Sequence, residues 1–183
     1  MSDSPTSAVQ HRDLLAVYCN DHLAASVGGI ELVRRMLHEH RTTDYEQPLK
    51  QLLGELREEK SSLESMMRGV GFPIRQYKLA AVWLGEKAAR LKLNGRLLER
   101  SPLSDLIEFE FLASAVRAKR SGFETLRIVA EVEPRLPTGE IDRLIRQANR
   151  QFEWLSHTRR DVAALVFGGD PTAAEEAADG PSR

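Results

Sequence analysis

Two polar side chains interrupt runs that otherwise carry only apolar and small residues, and they are the first candidates for chemistry. One is Glu59, which falls in the series Leu49, Leu52, Leu56, Glu59, Leu63, Met66. The other is His22, in the series Leu15, Tyr18, His22, Ala25, Gly29, Leu32, Met36. Both series step by three and four, the spacing that lines up one face of a helix. An imidazole titrates near neutrality, so His22 could serve as a metal ligand or proton carrier. Its structural alternative is a core histidine bonded across to Glu59, the two forming a buried polar layer. An unpaired buried carboxylate is costly, so Glu59 has to be paired, protonated or metal-bound. The cations and imidazole placed to answer it are His22, Arg117 and Arg159. A structural ion pair is the expected answer, with a remnant metal ligand as the alternative.

Other chemistry is hard to assemble. Cys19, the single cysteine, lies one step from the first series. A Cys19–His22–Asp21 triad fails, because positions 19 and 22 share a helix face and position 21 points elsewhere. A buried, inert thiol is expected. Phosphate loops, nucleophile elbows, zinc spacings and dinucleotide fingerprints are absent from the sequence. Gly28-Gly29 falls inside a helical pattern, where each glycine costs about 1 kcal/mol relative to alanine. Close helix packing is expected there, or else a small cavity.

The elements that would carry these residues are long helices. The first runs from about Asp13 to His40. Thr43 with Glu46 forms a capping box at the start of the second, supported by Pro48 and ended by Gly69, Gly71 and Pro73. Ile74 to about Leu93 reads as a shorter amphipathic helix, stopped by Asn94-Gly95. The third long helix starts at Pro102 behind Ser101 and runs to about Glu133, before Pro134 and Pro137. The fourth spans Gly139 to Phe167, with Ile141, Ile145, Ala148, Phe152, Leu155, Val162 and Val166 on one face. Residues 1–10 and 168–183 lack an apolar period and are expected to be disordered, leaving one bundle domain over 11–167. Long helices of roughly 25–30 residues would be about 40 Å long. Short turns join the first pair and the last pair, which makes each an antiparallel hairpin. The middle connection is long enough to cross the height of the bundle.

Composition agrees. The chain is 42 % hydrophobic, 29 % charged and only 6 % aromatic, which suits leucine- and alanine-filled helix packing. Lys plus Arg is 26 and Asp plus Glu is 27, so there is no basic excess of the kind a nucleic-acid binder shows. One cysteine, a polar first ten residues and the lack of a long apolar run favour a cytoplasmic protein. The connecting segment does concentrate cations: Arg75, Lys78, Lys87, Arg90, Lys92, Arg96 and Arg100 stand against Glu86 and Glu99. With Tyr77 and Trp83 it resembles a basic amphipathic helix that could meet an anionic membrane or an acidic partner. The competing reading packs its apolar stripe on the bundle and leaves its charges in water.

This helix order resembles the ferritin-like superfamily of four-helix bundles over about residues 11–167. The segments Tyr18-Cys19-Asn20-Asp21-His22-Leu23-Ala24, Leu91-Lys92-Leu93-Asn94-Gly95-Arg96-Leu97 and Ser101-Pro102-Leu103-Ser104 are also similar to a group of uncharacterised actinobacterial proteins. The superfamily resemblance implies two hairpins joined by a long crossover. For its di-iron members it also implies one Glu on each of the first and third helices and Glu-x-x-His on the second and fourth. Here Glu59 is followed by Ser62, and Glu153 by Ser156, with His157 one place late. The third helix offers Glu108 or Glu110, and the first offers Glu31, beside the double glycine. A degenerate metal site is the expectation, with Glu59, Glu108, Glu110 and His22 as remnant candidates and no cofactor. Function is expected to be non-enzymatic, through surface contacts or self-association as a homo-oligomer. The alternatives are a metal-binding or oxidoreductase protein with a reduced site, and a membrane or partner-binding module built on the crossover.

Overall fold

Local backbone chemistry sets the helix ends in the computed structural model, which describes residues 5–75 and 102–168. The helices are α1 (Pro5–Glu39), α2 (Glu46–Gly69), α3 (Pro102–Val129) and α4 (Thr138–Phe167). There is no strand among the described residues. Proline opens α1 at a position whose N–H a helix does not use, so residues 5–10, expected outside the bundle, continue the helix. The start of α2 also departs from expectation. Glu46 reaches back to the Thr42 amide at 3.1 Å, the Thr43 hydroxyl accepts from the Tyr45 amide at 3.3 Å, and Tyr45 takes the cap position. Gly71 ends α2 in the left-handed region (φ 75°), letting the Phe72 amide return to the Met67 carbonyl at 2.8 Å. Gly168 closes α4 in the same conformation (φ 73°). α3 stops at Val129 rather than Glu133, although the Glu133 amide still bonds the Val129 carbonyl at 2.9 Å.

Ile74 and Arg75 are not helical. The rest of the expected connecting helix, six of its cations (Lys78, Lys87, Arg90, Lys92, Arg96, Arg100) and the tail from 169 onward lie outside the described residues.

α1 packs on α2 and α3, and α3 packs on α4. Side chains record the alignment. The Arg12 guanidinium donates to the Val70 carbonyl and lies 5.0 Å over the Phe72 ring. Tyr18 donates to Thr125 at 3.2 Å, and Arg35 meets Glu108 at 3.0 Å. Arg127 meets Asp142 at 3.1 Å, and Ser62 donates to Glu140 at 2.8 Å. Asn20 ties the chain leaving α2 to α1: its amide donates to the Pro73 carbonyl at 3.0 Å and its oxygen accepts from the Arg75 amide at 3.0 Å.

Of the expected α1 series Met36 is buried and Leu15 and Leu32 pack against the core, but between them the buried face lies one residue away. Cys19, Leu23, Ile30, Val33 and Met36 are buried, whereas Tyr18 and His22 are half-buried and Ala25 is exposed. The core falls into two clusters. One is centred on Val33, Leu49, Phe109 and Leu155, the other on Leu23, Met67, Phe123 and Leu144. In the first, the Phe109 ring lies 5.3 Å from Tyr45, 5.9 Å from His40 and 6.2 Å from Trp154. The edge-to-face contacts with Tyr45 and Trp154 add to simple burial. Phe109→Ala is expected to lower the unfolding free energy by about 3–5 kcal/mol, read as a fall in the urea midpoint at unchanged slope.

Candidate functional site

Each helix carries a polar residue between apolar neighbours near the middle of its buried stripe. The steps are Leu23–Ser26–Ile30 on α1, Leu56–Glu59–Leu63 on α2, Val116–Lys119–Phe123 on α3 and Ala148–Gln151–Leu155 on α4. The two apolar clusters meet at this level on α1, α2 and α3; on α4 they meet one turn earlier, between Leu144 and Ala148, where Gln147 lies.

Glu59 is the centre of the layer, with only 3 % of its surface exposed. Its carboxylate accepts from the Lys119 ammonium, from Gln147 at 2.9 Å and from Gln151 at 2.8 Å. Lys119 also donates to the Gln151 carbonyl oxygen at 2.5 Å, and the Gln151 amide donates again to Glu55 at 2.6 Å. The network continues outward: Arg143 donates to the Gln147 oxygen at 3.0 Å and grips Glu140 with two bonds of 2.9 and 2.6 Å. Burial pushes the Lys119 ammonium below its ordinary value, and Glu59 pulls it back up. Arg143 holds the Glu140 carboxyl down at about 2, against the opposing effect of burial and with help from the Ser62 hydroxyl.

The cation that answers Glu59 is therefore Lys119. Arg117 is exposed, and Arg159 reaches Glu110 at 3.3 Å on the surface. His22 lies outside the layer. Its ring sits against the α3 backbone at Gly122, where a β-carbon would stand 2.7 Å from Cε1, and edge-on to Tyr18 at 4.6 Å between centroids. Burial lowers its pKa, partly opposed by Asp21. Glu108 faces Arg35, away from the layer. The four remnant candidates are thus not brought together. Among the described residues no group of three or more His, Cys, Asp or Glu is placed to hold a metal ion. Chemically, the Glu59 carboxylate already has three N–H donors from two helices, and its charge is matched in place.

Beside the layer, a cavity of about 380 Å³ opens between α1, α2 and α3. Tyr18, His22, Ala25 and Gly29 line it, so the middle of the series expected to form the α1 core seam faces this space instead. A β-carbon built on Gly29 meets nothing within 4 Å. Gly29 therefore widens the cavity, and close packing is found at Gly122, which the sequence did not single out. Cys19 also borders the cavity, but burial pushes its thiol up to about 11, which keeps it protonated and unreactive at neutral pH.

Lys119, Gln147 and Gln151 are absent from the sequence reading, which traces no stripe on α3 and runs through apolar residues alone on α4. The signal for two of them is present: 112, 116, 119, 123 reaches Lys119 and 144, 148, 151, 155 reaches Gln151 in the same steps of three and four. No protein-family model matches the chain, and neither a curated protein nor a solved structure matches it.

Removing one member of a buried pair strands the other. Glu59→Ala is expected to cost about 3–5 kcal/mol in urea unfolding, and Glu59→Leu with Lys119→Leu to recover much of that loss. An unchanged midpoint in Glu59→Ala would place the carboxylate in solvent. The second expectation concerns acid. A carboxyl lowered from its ordinary 4.5 to about 2 contributes stability that is present above 4.5 and lost as pH falls toward 2. Glu140→Gln should flatten the fall of the thermal midpoint across that window and leave the curve near pH 7 parallel to that of the parent.

Proposed function

We propose that this chain is a ferritin-like bundle of two antiparallel hairpins joined by a long crossover carrying a shorter helix. We further propose that it works without catalysis, through surface contacts and self-association. The helix directions are supported by paired residues whose numbers rise on one helix as they fall on the other. Tyr18 meets Thr125 and Arg35 meets Glu108 between α1 and α3; Glu55 meets Gln151 and Ser62 meets Glu140 between α2 and α4. α2 ends beside the beginning of α1, where Arg12 meets Val70, and α3 begins beside its end, where His40 stands 3.5 Å from Asp105. A chain joining those two points has to travel the height of the bundle.

A non-catalytic role is supported by the chemistry of the central layer, where an ammonium and two amides take up the carboxylate lone pairs that a metal would need. Self-association is supported by apolar side chains held in water at one end of the bundle. Val132 is 85 % exposed and Ile128 68 %, at the end of α3 where Arg12 approaches Glu133, and Leu14 and Val17 are exposed on the turns of α1 that follow Arg12. Ile128 and Val132 are four residues apart, and Leu165 and Phe167 are likewise exposed at the end of α4; large apolar groups left in water are the material of contact surfaces. No helix among the described residues is long and apolar enough to cross a membrane.

The exposed apolar end carries the proposal, and sedimentation equilibrium tests it. The parent is expected to associate, and Ile128→Ser with Val132→Ser to shift it to monomer with its helical signal intact. A parent that sediments as monomer throughout would end the self-association reading. Stoichiometric iron or manganese lost on Glu59→Ala would end the non-catalytic one.

A further inference from the structure

We propose that the cavity between α1, α2 and α3 binds a small uncharged apolar molecule bearing one hydroxyl, of the aryl-alcohol class, with His22 as its hydrogen-bond partner. The size fits: small-molecule sites commonly measure about 300–1,000 Å³, and this cavity measures about 380 Å³. Its walls fit as well. Leu56, Leu63, Leu112 and Phe123 supply the apolar surface, while Gly29 and Ala115 leave the room.

The polar groups on the wall define the ligand further. Tyr18 spends its hydroxyl proton on Thr125, and the Ser26 hydroxyl donates to the Leu23 carbonyl at 2.6 Å. The two ammonium groups are already paired, Lys119 with Glu59 and Lys60 with Glu64. Among the described residues of the wall a carboxylate would therefore find no free cation, and Asp21, exposed at the rim, would repel it. An ammonium drawn to Asp21 would stay in water at the rim, where salt screens the attraction. His22 differs from all of these. Among the described residues its ring makes no hydrogen bond, and its place is fixed by Tyr18 on one side and by the bare backbone of Gly122 on the other. Burial favours the neutral ring. A neutral imidazole offers one acceptor nitrogen and one N–H donor, and a hydroxyl can meet either.

Isothermal titration calorimetry of the full chain, with four probes on one ring system, tests this. 1-Naphthol is the hydroxyl probe; naphthalene, 1-naphthoate and 1-naphthylmethylammonium lack the hydroxyl or add charge. Saturable binding of naphthol is expected, roughly tenfold tighter than that of the other three. His22→Leu should bring naphthol down to the level of naphthalene. Gly29→Leu should abolish binding of both, because its side chain grows into the cavity from a position with nothing within 4 Å of the β-carbon. Ala115→Leu fills the same space from α3 and serves as the second filling variant, each checked by helical signal and urea midpoint. The proposal is overturned by any of four results: no saturable naphthol binding, tighter binding of either charged probe, affinity unchanged in His22→Leu, or affinity unchanged in a folded filling variant.

Discussion

A carboxylate placed at the centre of a helix bundle has to be answered from neighbouring helices, and the answer to Glu59 aligns three of the four. Taking an ion out of water costs several kcal/mol even after relaxation, and only close partners offset that cost. Here the partners are Lys119 on α3 and Gln147 and Gln151 on α4. Sliding α2 by one helical turn, about 5.4 Å, would carry the charge away from them and into the leucine, valine and phenylalanine layers on either side. Apolar packing alone tolerates such slips, since one leucine layer resembles the next. The polar layer removes that freedom, and the two apolar clusters lie above and below it as a result.

Much of this was legible in the sequence, and the misses have physical causes. α2 reads cleanly because it carries a single apolar stripe, and Glu59 breaks it conspicuously. α1 carries two. One stripe, with Leu23, Ile30 and Val33, enters the core; the other, with Tyr18, His22, Ala25 and Gly29, lines the cavity one residue away. Period alone cannot rank two stripes offset by about 100°. Gln151, a partner of Glu59, was hidden by a different habit: a stripe followed through apolar residues steps over the polar members that complete it.

The glycines show the limit of local reasoning. Gly29 and Gly122 have the same spelling inside a helix and the same cost in propensity. At Gly122 the missing side chain lets an imidazole lie on the backbone; at Gly29 it leaves space. Which of the two occurs depends on a helix about a hundred residues away in the chain, and no window around either glycine contains that information.

The layer also orders events during synthesis. Glu59 lies 60 residues before Lys119, 88 before Gln147 and 92 before Gln151. At roughly 5–20 residues per second, the ribosome needs about 3–12 s to extend the chain from Glu59 to Lys119, and longer to reach the glutamines. Through that interval Glu59 has none of its three partners, and a lone carboxylate keeps its water. A charged group on an otherwise apolar face opposes burial of that face against another of its kind. The same charge that is neutralised at the centre of the finished protein is thus a solvated acid for as long as α3 and α4 are missing.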